Sequence, residues 1–327
     1  MVLDISQELA IAYVHFYVDN LPYWQRWFQK FFALEPVDTQ HFFPHLTGQD
    51  VLLRSPELQF VLSAPHAPND PVDQYLKKHP CGVADIAFFV NPAIILNLDL
   101  NLSSPTKVIN PVGFQHTLIP KQNIPKSNQN IDHLVLNVAK GSLEKIRDWY
   151  IHKLGFQPKQ SFQIQTEYSG LTSQVLQHSS GIQIPINQPG DRRSQIQEFL
   201  DYNRGAGIQH IAIKQNNLPE KILHLQRQSL SFLDVPQTYY QNLLREYPFL
   251  KNLSQWSNIQ RAKILVDVVR SPEEILMQIF TQPIFKEPTF FWEFIERKQG
   301  ATGFGEGNFQ ALFEAIETAQ KQRVISP

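Results

Sequence analysis

Two histidines and one glutamate carry the strongest chemical signal in this 327-residue chain: His133, His210 and Glu293. His133 and His210 each stand in a short β-branched, apolar run, and each follows a polar residue, Asp132 and Gln209. Glu293 interrupts Pro288-Thr-Phe-Phe-Trp-Glu-Phe-Ile, a run so apolar that a carboxylate within it needs a partner. Two imidazoles and one carboxylate on one face of a metal, with other positions open, form the donor set of non-haem Fe(II) oxygenases. The spacings, 77 residues from 133 to 210 and 83 from 210 to 293, are not local. Spacing therefore does not by itself join the three residues, and an ion pair between Glu293 and Arg297 would account for the carboxylate as well.

Such residues need rigid elements to hold them, and the chain's periodicity supplies candidates. Tyr13-Val-His15-Phe-Tyr-Val18 with residues 20–32, and Ile131-Asp-His133-Leu-Val-Leu-Asn-Val138 with residues 142–156, follow one pattern. Each reads as a strand, a turn and an amphipathic helix. In the first helix Trp24, Trp27, Phe28 and Phe31 fall at i, i+3, i+4 and i+7, one buried stripe. Ile146, Trp149 and Tyr150 repeat this, with Ser142 as N-cap and Gly155 as the stop.

Two further strands, residues 82–90 and 207–213, lead into helix starts at Asn91-Pro92 and Asn217-Leu-Pro219. Four strand–helix–strands modules are thus predicted, two per domain, with a linker at residues 121–130 and domains at 1–125 and 126–327. An offset of 118 residues sets His15 against His133, and Asp85 takes the place of His210. The first half then reads as a metal-free copy in which His15 is an ordinary strand histidine. A last stripe, Phe309, Leu312, Phe313 and Ile316, predicts a C-terminal helix with Asn308 as N-cap and Gly303, Gly305 and Gly307 as a hinge.

Composition bounds the function classes. Hydrophobic residues make up 42% and charged residues 18% of the chain, enough apolar surface for a sizeable core. Lys plus Arg number 29 against 30 Asp plus Glu, so no basic field would recruit nucleic acid or anionic lipid. The single cysteine, Cys81, excludes a disulfide framework and a Cys-rich zinc site and suits a reducing cytoplasm. No segment approaches the roughly 20 apolar residues of a membrane span.

Longer strings carry a resemblance. Asn187-Gln-Pro-Gly-Asp-Arg-Arg-Ser-Gln195, the following run to Asn203-Arg-Gly-Ala-Gly-Ile-Gln209-His210, and Glu293-Phe-Ile-Glu-Arg with Gly303-Phe-Gly-Glu-Gly-Asn-Phe309 are similar to the signatures of 4-hydroxyphenylpyruvate dioxygenases. Pro236-Gln-Thr-Tyr-Tyr240 and Gln278-Ile-Phe280-Thr add to it, and the similarity is densest from Ile131 onward. The resemblance implies the vicinal-oxygen-chelate fold: an α+β architecture of two domains, each of paired βαβββ modules forming an open β-barrel with helices outside.

It also implies one Fe(II) per chain on His133, His210 and Glu293, with O2 as co-substrate and no 2-oxoglutarate. The expected reaction turns 4-hydroxyphenylpyruvate into homogentisate and CO2 by decarboxylation, ring hydroxylation and side-chain migration. Matched position by position, Ser173, Asn187, Gln195 and Gln209 fall at the ring end of the substrate. Gln278 falls near its carboxyl end and the iron. Phe280, Phe291, Phe304 and Phe309 line the pocket, the last on a gating helix that Asn308 begins. The family also suggests a homo-oligomer, dimer or tetramer, without nucleic-acid or membrane partners. Two competing expectations are 4-hydroxymandelate synthase, which shares substrate and triad, and a metal-free sequestration protein on the same fold. An extradiol catechol dioxygenase is a third.

Overall fold

A computed structural model describes residues 9–92, 104–121, 124, 130–165 and 170–308. The first half comprises β1 (Leu9–Tyr17), α1 (Leu21–Phe32), β2 (Glu35–Val37), α2 (Thr39–Phe42), β3 (Val51–Arg54), β4 (Gln59–Ser63), α3 (Pro71–Lys78), β5 (Gly82–Val90), β6 (Thr106–Ile109) and β7 (Gln115–Pro120). The second half starts with β8 (Ile131–Asn137), α4 (Leu143–Leu154), β9 (Gln157–Gln165), β10 (Gly170–Gln177), β11 (Gln183–Pro189) and α5 (Gln195–Asn203). It continues through β12 (Gly207–Lys214), α6 (Leu218–Arg227), α7 (Gln237–Glu246), α8 (Trp256–Ala262), β13 (Leu265–Val268), β14 (Ile275–Phe280) and β15 (Phe291–Arg297).

The strands form two sheets, ordered β2-β3-β4-β1-β5-β7-β6 and β13-β14-β15-β12-β8-β11-β10-β9, with helices outside. This is the paired-module architecture the sequence predicts. Both sheets place the same pairings at their centre: an antiparallel strand pair, β1–β5 or β8–β12, flanked by parallel partners. The apolar face of each sheet buries the helix stripes. Trp24, Phe28, Phe31 and Phe32 of α1 are buried, and Trp27 is half-buried beside them. Ile146, Tyr150 and Leu154 of α4 pack into the same core as Leu134 and Leu136 of β8.

The caps differ in detail from the expectation. Gly155 stops α4 at φ 73, its N–H bonded to Ile151 O, as a left-handed C-cap requires. Ser142 makes no side-chain capping bond and is itself helical, so its cap role is not realised. Asn91 and Pro92 are described, but the residues 93–103 that follow this helix start and the terminal stripe from Phe309 lie outside the described residues.

The registers correct the alignment of the halves. In β1–β5 the extra, bulged residues are Ala12 and Ala84; in β8–β12 they are Asp132 and Gln209. Superposing these bulges sets β1 against β8 at 133 − 13 = 120 residues. Tyr13, not His15, is then the counterpart of His133, and Asp85 does match His210. Through the neighbouring parallel pairs Thr117 takes the place of Glu293. A two-residue shift preserves side-chain facing, which is why periodicity alone accepted the wrong histidine. The first-half counterparts are tied to one another and to a loop: Thr117 donates to Asp85 at 2.6 Å, and Tyr13 Oη lies 3.0 Å from His45 Nε2. His15 bonds Ser63 at 2.6 Å, an ordinary buried strand histidine.

The halves share one apolar core. Trp292, on β15 beside Glu293, is fully buried and points away from the carboxylate into the first half. Its ring sits 4.6 Å from Phe32, 5.4 Å from Phe60 and 5.9 Å from Phe16. Among the described residues no helix is long and apolar enough to cross a membrane.

Candidate metal centre

Three adjacent strands place the three donors. His133 stands on β8, His210 on β12 and Glu293 on β15, with Ala212 of β12 paired to both His133 and Glu293. Glu293 Oε2 lies 3.1 Å from His133 Nε2 and 3.5 Å from His210 Nε2. The three donor atoms all fall within 4.8 Å of one another, so these residues could hold a metal ion. The chemistry of the set fits a divalent ion: two neutral nitrogen donors and one anion, buried where an unpaired carboxylate would be costly.

Burial opposes charge throughout this cluster, yet mutual pairing prevails at two groups. Despite desolvation, the two imidazoles hold Glu293 down to about 2, and Glu293 with Asp132 pushes His133 up to about 9. At His210 burial wins, and the imidazole is shifted below its usual range.

The bulges explain how two consecutive residues serve one site. On a regular strand Asp132 would face away from His133. The bulge brings its carboxylate to 2.9 Å from His133 Nδ1, leaving Nε2 aimed at Glu293. Arg297 then clamps Asp132 with two bonds, at 2.9 and 2.8 Å, and donates to Ala301 O and Gly303 O. Arg297 therefore partners Asp132, not Glu293. Burial disfavours charge on Asp132, but Arg297 and His133 hold it well below the usual carboxylate range. His210 lacks such a partner: its Nδ1 makes no hydrogen bond, and its ring stacks on Phe291 at 4.8 Å.

A cavity opens from the triad. Ser173, Asn187, Gln195 and Gln209 line its polar part, all nine-tenths or more buried. Gln278, Phe280, Phe291 and Phe304 line it nearer the triad, where Phe304 meets His133 edge-to-face at 5.2 Å. Every described candidate but Asn308 therefore faces one cavity. Asn308 stands behind it: its Nδ2 donates to Gln278 Oε1 at 3.0 Å, while Gln278 Nε2 donates to Glu293 Oε1 and to Phe304 O. Asn308 is thus a support for the ligand carboxylate, and its Oδ1 accepts from Tyr239 Oη at 2.8 Å; the helix it is expected to cap lies outside the described residues. Phe309 lies outside the described residues.

The sequence reading missed the apolar lining of Val135, Phe162, Ile164 and Leu171, whose types say only "strand". Alternation with His133 would have found Val135. It also gave Gly303, Gly305 and Gly307 a hinge role. At Gly305, φ is +79 and a Cβ would collide with Gln278 Oε1, so this glycine serves close packing.

Residues 130–249 match the Glyoxalase/Bleomycin resistance protein/Dioxygenase superfamily. Across almost its whole length the chain is also 33% identical to the uncharacterized protein slr0090 of Synechocystis, covering 96% of this chain and 99% of that one. Residues 130–249 thus form a domain of this superfamily. It is 44% identical over 195 residues to a 4-hydroxyphenylpyruvate dioxygenase of Legionella pneumophila, covering 59% of this chain. That match spans 55% of the dioxygenase, little more than half its length. Among solved structures, a triple mutant of 4-hydroxymandelate synthase from Streptomyces coelicolor superposes with a TM-score of 0.82 at 25% identity. It covers 96% of this chain and 99% of that one. These relatives support an enzyme of the dioxygenase superfamily acting on a small molecule.

Proposed function

We propose that the protein is an Fe(II)-dependent dioxygenase converting 4-hydroxyphenylpyruvate and O2 to homogentisate and CO2. The observation that carries this reading is the lining of one cavity, which brings together a two-imidazole, one-carboxylate donor set, buried amides and a hydroxyl, and aromatic rings. One Fe(II) per chain would be held by His133, His210 and Glu293, and when bound it supplies a template for the 2-oxo acid and activates dioxygen. The substrate's own 2-oxo acid takes the place that 2-oxoglutarate fills elsewhere.

The chain's residues do the positioning. Asp132, locked by Arg297, fixes the tautomer and direction of His133. Gln278 occupies one oxygen of Glu293, leaving the other toward the imidazoles. Phe280, Phe291 and Phe304 offer faces and edges to a flat ring. Ser173, Asn187, Gln195 and Gln209 orient the phenol hydroxyl without ionising it, since neutral amides can donate and accept at once. Residues 126–327 form the catalytic half, and residues 1–125 a supporting half whose matching positions hold Tyr13, Asp85 and Thr117.

A second reading, 4-hydroxymandelate synthase, is favoured by the structural likeness that covers 96% of this chain. Anaerobic loading with Fe(II), then 4-hydroxyphenylpyruvate and air, separates the two by product. Homogentisate supports the first reading, 4-hydroxymandelate the second, and unchanged substrate neither.

A further inference from the structure

Behind the ring end of the site lies a second, smaller cavity. Gln195, Gln209 and Phe291 line both spaces, so the partition between them is one side chain thick. The far wall is apolar and stiff, built from Leu233, Pro283 and Pro288. One polar group on it is unused. Thr289 is 2% exposed, and its hydroxyl has no hydrogen-bond partner, whereas the Thr281 hydroxyl accepts from Trp292 N at 2.9 Å. Buried hydroxyls nearly always find a partner, so an unpaired one on a cavity wall marks a place where an occupant would supply it.

We propose that this cavity is an annex to the ring end of the site, taking a neutral para substituent longer than a hydroxyl on an aryl 2-oxo acid. This rests on the aryl 2-oxo acid reading above. The 2-oxo acid stays at the triad, where the metal donors are. The para chain displaces the Gln195 and Gln209 amides sideways, runs along Leu233 and Pro283, and ends in a group that hydrogen-bonds Thr289. The enzyme would thus accept hydroxyalkyl ethers of its substrate, and the glutamine pair rather than the enclosing wall sets the length limit.

Binding to Fe(II)-loaded protein under strictly anaerobic conditions tests this, with 4-hydroxyphenylpyruvate and 4-(2-hydroxyethoxy)phenylpyruvate compared by calorimetry. The extended compound should bind within about tenfold of the parent. Thr289→Val should weaken it about three- to tenfold, the worth of one hydrogen bond, with the parent unchanged and Thr289→Ser restoring affinity. Leu233→Trp, which fills the annex from the far side, should remove binding of the extended compound alone. If the parent binds and the extended compound does not, or Thr289→Val weakens both equally, the annex is refuted. If neither compound binds the wild type, the substrate reading falls and the annex with it.

Discussion

Asp132 joins two functions in one carboxylate: it orients His133 and anchors Arg297, which in turn holds the backbone at Ala301 and Gly303. Asp132→Asn keeps the shape but removes the charge that makes Nδ1 a committed donor. Metal affinity measured by chelator competition should fall about 10- to 100-fold, the usual effect of losing such a partner. Alanine at His133, His210 or Glu293 removes a donor outright. Each variant should lose both bound iron and turnover while keeping its native circular dichroism spectrum, and metal-dependent activity surviving in any of them would break the triad assignment. The triad's residue types were legible in the sequence, as was the polar residue before each histidine. What the sequence hid was that Asp132 and Gln209 share a face with the histidines, because a bulge is a property of strand pairing and leaves no mark in one strand's alternation.

At the level of elements, the two sheets use the same bulges for different ends. The first sheet puts alanines there and fills the matching site with Tyr13, Asp85 and Thr117. Asp85 is buried with one oxygen unpartnered, and burial raises its pKa from 3.8 to about 6, against the hydrogen bond from Thr117. Folding therefore favours the neutral acid. Its contribution to stability is complete below about pH 3.8 and is lost as pH rises through about 6. Asp85→Asn should gain stability over wild type on going from about pH 4 to pH 8, by up to about 3 kcal/mol in urea titrations. An unchanged difference across that range would mean the carboxylate is not desolvated. The segment after β15 carries a second test: Gly305→Ala forces both a left-handed backbone and a collision with Gln278. It should lower stability by about 1 kcal/mol or more and reduce iron retention, whereas a free hinge would tolerate alanine.

For the whole molecule, the modular pattern was readable because each module repeats strand and helix periods that one chain segment can show. The partnership between halves was not readable, because it depends on aromatic residues from distant segments meeting around Trp292. Trp292→Ala would open a void at that junction and should cost about 3–5 kcal/mol, with near- and far-ultraviolet signals still unfolding together. Separate transitions would mean that the halves do not share a core. The central claim is that this shared scaffold presents one iron to an aryl 2-oxo acid, and a stoichiometric turnover measurement tests it most directly. O2 consumed, CO2 released and aromatic product should be quantified for Fe(II)-loaded wild type and Glu293→Ala with 4-hydroxyphenylpyruvate. The account predicts equal amounts of all three with homogentisate as the product, and none of them in the variant. Absence of turnover in fully loaded wild type, or equal turnover in Glu293→Ala, would contradict it.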